Sequence, residues 1–189
     1  SFHLKHLSKI PEISVSGFYD IDQNRAEEIS KAHKIPSFSS LESLLDSSDA
    51  VSVVTPTSLH YNIAIQALNA GCHVFIEKPI TDNLIHAGAL LNKADELKKI
   101  IQVGHIERFN PAFMALKKTA VEPRFIETHR LAPFNPRGND VPVILDLMIH
   151  DLDIILSLVD SKIQDIRANG VKVVSKTVDI ANVRLEFAN

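Results

Sequence analysis

Two short groups of residues in this 189-residue chain have the types and spacing needed to handle a proton. The first is Glu77-Lys78-Pro79, which directly follows the apolar run at 73–76. Because a proline restricts the preceding residue to extended backbone, it would aim the Lys78 side chain. A lysine held in this way can bond a hydroxyl group, and burial can lower its pKa. The alternative is an ordinary exposed lysine in a loop between a strand and a helix.

The second group is Asp146 and His150, which stand four residues apart. On a helix this spacing puts both side chains on one face, one turn apart. Their apolar neighbours predict a mostly buried helix, where two titratable groups carry a desolvation cost. Histidine suits proton transfer near neutral pH, and a nearby carboxylate can fix its tautomer. The alternative is a hydrogen-bonded core histidine with a capping carboxylate. A metal site is the weaker interpretation, since the chain has no H-E-x-x-H motif and no cysteine pair.

A third candidate, Asp20, ends the β-rich run at 13–19, and Asp22 behind it would cap the next helix. In dinucleotide-binding sheets an acidic residue ending the second strand bonds the adenosine ribose, about 20 residues after a glycine fingerprint. Counting back from Asp20 reaches a point just before Ser1, and no two of the six glycines form G-x-G. The alternative is that Asp20 is only a turn residue.

The composition excludes several classes of protein. The net charge is -3 and there is no basic stripe, so we expect no nucleic-acid partner. No apolar run approaches the roughly 18 residues of a membrane span. A single cysteine, Cys72, cannot form an internal disulfide and fits a reducing, cytoplasmic compartment. We expect it to be a small core residue.

The first part of the chain alternates apolar strands with amphipathic helices. Strands are predicted at 50–54, 73–76 and 100–103, with helices between them at 57–70 and from Thr81 or Asp82 to about 98. This alternation predicts a parallel sheet covered on both faces, which binds ligands at the carboxyl ends of its strands. The polar residues at those ends are Asp20, Thr55, Glu77, Lys78 and His105.

The pattern changes after Phe109. We predict helices at 110–119 and 142–159, and strands at 124–131, 163–174 and 177–187. Strands grouped with one helix predict a second α+β domain with a mostly antiparallel open sheet. We place the boundary near Gly104, giving a dinucleotide-binding domain at 1–104 and a substrate and oligomerisation domain at 105–189. Both domains look incomplete at their outer ends.

The order of these motifs resembles the Gfo/Idh/MocA family, that of glucose-fructose oxidoreductase and inositol dehydrogenase. The first-domain motifs are Val53-Val54-Thr55-Pro56-Thr57-x-x-His60 and Ala67-Leu68-x-Ala70-Gly71-x-His73-Val74-x-x-Glu77-Lys78-Pro79. The second-domain motif is Asp146-x-x-x-His150-Asp151-x-Asp153. The resemblance implies a Rossmann domain that binds NAD(P), followed by a domain whose open sheet forms homodimer or homotetramer contacts.

The resemblance also implies roles for individual residues. The cofactor-binding set would be Asp20, Thr55, Pro56, His60, Glu77 and Lys78. The catalytic set would be Lys78, Asp146 and His150. The substrate-binding set would be His105, Arg108, Asn110 and Arg137, the last facing a pyrophosphate. No metal is implied. Asp20 favours NAD over NADP, because a 2′-phosphate would meet its carboxylate.

The implied reaction is hydride transfer between a sugar or polyol carbon and nicotinamide. Residues 104–111 and 131–153 resemble members that act on UDP-N-acetylhexosamines at the 3-hydroxyl. His150 would take the hydroxyl proton, Lys78 would bond the same oxygen, and Asp146 would orient His150 or a substrate hydroxyl. Two alternatives remain: a sensor that binds dinucleotide without turnover, and a structural or assembly subunit.

Overall fold

The computed structural model describes residues 2–119, 121–133 and 141–188, which form two compact units interleaved along the chain. The first unit comprises Ser1–Val54, His60–Ile76 and Ala87–Gln102. The second unit comprises Thr55–Leu59, Glu77–His86 and Val103–Asn189. The boundary near Gly104 stays a prediction.

The predicted parallel sheet is present. Its strands are β1 (Ala50–Val53), β2 (His73–Ile76) and β3 (Ile101–Val103), hydrogen-bonded in the order β1-β2-β3. Strands β1 and β2 run parallel, with Ala50 opposite His73 and Val53 opposite Ile76. Their carboxyl ends therefore lead into Thr55 and Glu77 on the same edge of the sheet.

Local capping explains where the helices of this part of the chain begin and end. The helices are α1 (Phe2–Leu7), α2 (Gln23–His33), α3 (Leu41–Leu45), α4 (Thr57–Asn69) and α5 (Leu84–Leu97). As predicted, the Asp22 carboxylate accepts the Arg25 N–H at 3.1 Å and starts α2. The predicted cap of α5 is wrong: the Asn83 side chain accepts the His86 N–H at 2.9 Å, while the Thr81 hydroxyl donates to the Asn83 carbonyl.

The core of the first unit is built from the buried faces of its sheet and helices. Its buried apolar residues are Ala26, Ile35, Leu45, Val53, Ala64, Ala67, Leu68, Cys72, Val74, Ile76, Leu90 and Ala94. The Cys72 thiol lies 3.0 Å from the Ser48 carbonyl, and burial raises its pKa. Cys72 is fully buried, which confirms the prediction of a core cysteine. A protonated buried thiol is also a poor nucleophile.

The β-rich run at 13–19 forms only one parallel bridge, between Phe18 and Ser37, and is not a strand. A ladder needs a neighbour for each extended backbone group, and the described residues supply one at a single position. The two backbone segments approach closely there, because a Cβ added to Gly17 would lie 2.6 Å from the Pro36 carbonyl oxygen. Asp20 thus follows an extended segment with a single bridge rather than a regular strand.

The second unit contains an antiparallel hairpin and a helix that begins irregularly. The hairpin pairs β4 (Ile163–Val171) with β5 (Ile180–Phe187), which confirms the antiparallel prediction and shortens the predicted strands. A 3₁₀ turn (Ile106–Phe109) precedes α6 (Pro111–Leu116). A π-helical turn (Ile144–Met148) runs directly into α7 (Ile149–Leu158).

Two predictions for the second unit are wrong. Residues 124–131 form no strand, because no described segment pairs with their backbone. The helix carrying Asp146 and His150 is half-buried rather than mostly buried: neither its π-helical turn nor α7 contains a fully buried residue. Its apolar side chains are covered only in part by the described residues. None of the described helices has both the length and the apolar character to cross a bilayer.

Candidate active site

Lys78 and Asp146, 68 residues apart in the chain, lie in direct contact within the second unit. Lys78 is the second residue after β2, and its peptide bond to Pro79 is cis. Its ammonium donates to the Asp146 carboxylate at 2.8 Å and to the Asp146 backbone carbonyl at 2.7 Å. The Lys78 side chain is 21% exposed, so it is not an ordinary solvated loop lysine. These two hydrogen bonds to one residue fix the position of the Lys78 ammonium.

Asp146 makes both contacts from within the π-helical turn. Such wide turns are rare and occur mostly as single turns at functional sites. Asp146 lies within the turn and accepts from Lys78 through both its side chain and its main chain. His150 follows as the second residue of α7. The irregular start of the helix therefore brings one acid and one base to the same end of it.

His150 is the least satisfied of the candidate catalytic groups. Its Nδ1 atom is buried and has no hydrogen-bond partner among the described residues. An unsatisfied buried polar atom costs on the order of 1–3 kcal/mol, so a native structure usually has a reason to keep one. Burial lowers the pKa of His150, and the charges of Lys78 and Arg130 lower it further. The imidazole is therefore neutral at neutral pH and able to accept a proton.

The two acidic residues after His150 each hold an arginine. Asp151 accepts from Nε and Nη2 of Arg130, both at 2.9 Å. Asp153 accepts from Nε of Arg108 at 2.8 Å and from its Nη2. The Arg108 guanidinium lowers the pKa of the Asp153 carboxyl. Arg130 carries no local sequence signal of its own, and only the acidic H-D-x-D pattern hinted that cationic partners were needed.

The predicted substrate-binding residues are already engaged to different degrees. The Arg108 fork is bound to Asp153, and His105 Nδ1 lies 3.8 Å from an Asp153 oxygen. Asn110 caps α6 by accepting the Ala112 N–H at 3.0 Å, and its amide donates to Glu107. Arg137 falls outside the described residues. Substrate contact by these side chains stays a prediction.

The predicted cofactor-binding residues are divided between the units. Asp20 and His60 belong to the first unit, whereas Thr55, Pro56, Glu77 and Lys78 belong to the second. One Asp20 oxygen accepts the Asp22 N–H at 3.0 Å, and the other lies 3.6 Å from Arg25 Nε. A carboxylate has about four acceptor sites, so Asp20 retains the capacity to bind a ribose diol. His60 is buried in α4. The acceptor capacity of Asp20 therefore fits a ribose diol, and cofactor contact by the whole set stays a prediction.

Comparison with known proteins establishes the family. A family model described as "Oxidoreductase family, NAD-binding Rossmann fold" matches residues 1–105. The chain belongs to the Gfo/Idh/MocA family. The predicted family and the predicted combination of a Rossmann-type parallel sheet with a second, antiparallel sheet are confirmed.

Individual relatives of this Gfo/Idh/MocA chain are dehydrogenases. It is 40% identical to a UDP-N-acetylglucosamine 3-dehydrogenase of Acidithiobacillus ferrooxidans, covering 100% of this chain and 60% of that protein. A solved structure of that enzyme matches with a TM-score of 0.90 over 100% of this chain and 63% of the other. A scyllo-inositol 2-dehydrogenase (NAD(+)) of Bacillus subtilis is 30% identical, covering 89% of this chain and 53% of that protein. The chain thus spans about 60% or less of these relatives' length.

Proposed function

We propose that this chain forms part of an NAD-dependent dehydrogenase that oxidises a hydroxyl group of a nucleotide sugar. The reaction that best fits is oxidation at the 3-hydroxyl of UDP-N-acetylglucosamine. The observation that carries the proposal is the grouping of Lys78, Asp146 and His150 in one unit, with the lysine ammonium 2.8 Å from the carboxylate.

The three side chains divide the proton chemistry between them. His150, neutral and with a buried nitrogen lacking a partner, takes the hydroxyl proton as the alcohol becomes a ketone. Lys78 donates to the same oxygen and stabilises the negative charge that develops there. Asp146 holds the lysine ammonium in place. That it also orients His150 or a substrate hydroxyl stays a prediction. When bound, NAD supplies the acceptor for the hydride, and the protein supplies geometry and proton transfer.

The dinucleotide would be held by the residues at the strand ends. Asp20 would bind the adenosine ribose, and Thr55, Pro56, Glu77 and Lys78 would contact other parts of the dinucleotide. His60, buried in α4, would act by holding its neighbours in place. A 2′-phosphate would meet the Asp20 carboxylate, which favours NAD over NADP. Arg25 lies 3.6 Å from that carboxylate and reduces the repulsion without removing it.

The choice of substrate is supported by the relative at 40% identity, whose name is that of a UDP-N-acetylglucosamine 3-dehydrogenase. A UDP-sugar carries a pyrophosphate, and Arg137 would contact it, with His105, Arg108 and Asn110 bordering the sugar. We further propose a cytoplasmic homodimer or homotetramer assembled through the β4–β5 sheet. Sedimentation with and without the hairpin substitution Ile166→Asp would test that assembly.

The function is tested by titrating the full-length gene product with NAD and UDP-N-acetylglucosamine while following nicotinamide absorbance. Formation of NADH with UDP-N-acetylglucosamine is the expected result. NAD binding without turnover on any nucleotide sugar would favour a free sugar or polyol substrate, or the dinucleotide sensor. Absence of NAD binding would favour the assembly subunit and contradict the proposal.

A further inference from the structure

An arginine in an irregular segment forms hydrogen bonds with the helix that carries His150. Arg130 lies in the stretch 121–133, which contains no helix or strand. Its guanidinium makes a two-pronged contact with Asp151, with both N···O distances at 2.9 Å. The side chains are 31% and 14% exposed, respectively. Planar, bidentate contacts of this kind are among the stronger and more directional hydrogen bonds in proteins.

The position of Asp151 makes this contact more than a surface ion pair. Asp151 is the residue directly after His150 and lies in the first turn of α7. This is the turn in which the helix changes from π to α geometry. The guanidinium of Arg130, bound to Asp151, restrains the backbone that orients the His150 imidazole. It also keeps a positive charge close enough to act on that imidazole.

We propose that Arg130 is a positioning residue for proton transfer by His150, acting through its bidentate pair with Asp151 to hold both the imidazole's orientation and a cation beside it. This inference rests on the proposed function, in which His150 accepts the hydroxyl proton.

The charges around His150 agree with this role. The groups that face it from neighbouring segments are cationic Lys78 and Arg130, His105, and anionic Glu107. Its own helix and the preceding turn contribute Asp146, Asp151 and Asp153, and the last is coupled electrostatically to His150. The two cations disfavour a protonated imidazole and so lower its pKa, while Glu107 opposes them. In the proposed reaction Lys78 also contacts the substrate. Arg130 is therefore the cation whose charge can act on His150 without a second role in substrate binding.

The same helix provides a matched control. Arg108 grips Asp153 with the same two-pronged geometry, two residues farther along α7. Its guanidinium is not among the charges that shift the pKa of His150. Loss of either arginine breaks one bidentate pair on α7, but only loss of Arg130 removes a cation acting on the imidazole.

The test compares Arg130→Gln, Arg130→Lys and Arg108→Gln in the full-length protein. The pKa of His150 is measured by NMR titration of ¹³C-labelled histidine, and kcat and kcat/KM for the nucleotide sugar are measured against pH. We expect Arg130→Gln to raise the pKa of His150 and to move the acidic limb of kcat/KM to higher pH by the same amount. Its kcat should fall roughly tenfold, a part of the 10²–10⁴ that general base catalysis contributes.

The other two variants separate charge from geometry. Arg130→Lys keeps the charge, so the pKa of His150 should stay near the wild-type value while kcat falls severalfold through loss of the fork. Arg108→Gln should shift the titration of His150 less than Arg130→Gln does, because the charge of Arg108 does not act on the imidazole directly. Equal titration curves and equal pH profiles for Arg130→Gln and Arg108→Gln would overturn the proposal. If Arg130→Gln does not fold, a wild-type kcat in Arg130→Lys would overturn it.

The titration needs no turnover, so failure of this inference is distinguishable from failure of the proposed function. A wild-type protein that oxidises no nucleotide sugar would contradict the function. An unshifted His150 in an active Arg130→Gln variant would contradict only the role of Arg130.

Discussion

Apolar burial dominates the first unit, whereas polar contacts dominate the second. Twelve of the fourteen buried apolar residues described belong to the first unit, and the second contributes Pro79 and Phe113. Its features are instead the pairs Lys78–Asp146, Arg108–Asp153 and Arg130–Asp151. Ion pairs contribute little net stability, but they place charges accurately. The difference teaches that the candidate chemistry lies where charges are positioned, and not where apolar packing is densest.

The largest expected effect comes from removing one of the charged residues of the second unit. Lys78→Ala removes the ammonium that contacts Asp146 and, in the proposed reaction, the substrate oxygen. We expect kcat to fall by about 10²–10³, as for loss of one donor to a developing oxyanion. Affinity for NADH, measured by fluorescence titration, should fall far less than kcat, because the other residues proposed to bind the cofactor remain.

The matched control for Lys78→Ala is Lys31→Ala. Lys31 pairs with Glu27 on the surface of α2 and is 80% exposed. Its loss should leave both kcat and NADH affinity unchanged. If the two variants have equal kcat, the catalytic assignment of Lys78 is wrong.

A core substitution tests the apolar side. Ile76→Ala removes a side chain with 0% exposure from the sheet of the first unit. Truncations of this kind cost about 2–5 kcal/mol, through lost burial and the cavity that remains. Ile85→Ala, at a position of the second unit that is 83% exposed on α5, should stay within about 0.5 kcal/mol. Urea denaturation measures both, and similar losses would remove the contrast between the units.

A smaller effect is expected for cofactor choice. Asp20→Ala should weaken NAD binding roughly tenfold, which corresponds to about 1.4 kcal/mol of binding free energy. It should also reduce the preference for NAD over NADP. Isothermal titration with both dinucleotides measures the change. Asp22→Ala, which removes the cap of α2 but not the ribose ligand, is the control. Unchanged affinities in Asp20→Ala would show that Asp20 is only a turn residue.

The smallest effect concerns the hairpin loop. The Asp179 carboxylate accepts the backbone N–H groups of Val173, Val174 and Ser175, and these bonds lower its pKa far below the usual value. A lowered folded-state pKa means that the stabilisation is present above the unfolded pKa of about 3.9 and is lost as the pH falls through the folded value.

Amide hydrogen exchange in β4 and β5 measures that stabilisation. Asp179→Ala should speed exchange at neutral pH, whereas Asp160→Ala, at an exposed position after α7, should not. The difference between Asp179→Ala and wild type should shrink toward very low pH. A difference that grows as the pH falls would contradict the role of the carboxylate.

The sequence predicts the first unit better than the second for a physical reason. Strands such as 73–76 are apolar and are flanked by amphipathic helices, and the Asp22 cap is a local hydrogen bond, so both are visible in short windows. The strand predicted at 124–131 failed because a strand depends on a partner that no local pattern specifies. The cap of α5 was misplaced because Thr81, Asp82 and Asn83 are adjacent candidates, and only hydrogen bonding separates them.

The candidate site was predictable only in part. Family resemblance grouped Lys78 with Asp146 and His150, a contact that spans 68 residues and has no local signal. Arg130 was missed, because an arginine in an irregular segment has no periodicity to mark it. Lys78 contacts the side chain and carbonyl of Asp146 within the π-helical turn, and residue spacing does not predict such turns.

The central claim is that His150 is the base in a dehydrogenase reaction. The most direct test is the pH dependence of kcat/KM for NAD-dependent oxidation of UDP-N-acetylglucosamine, measured for the wild-type full-length protein and for His150→Asn. Because the pKa of His150 is lowered, wild-type activity should persist below pH 6.5 and fall only when the imidazole becomes protonated. His150→Asn should lose most of its activity and lack this acidic limb. A His150→Asn variant with the wild-type rate and the wild-type pH profile would contradict the account.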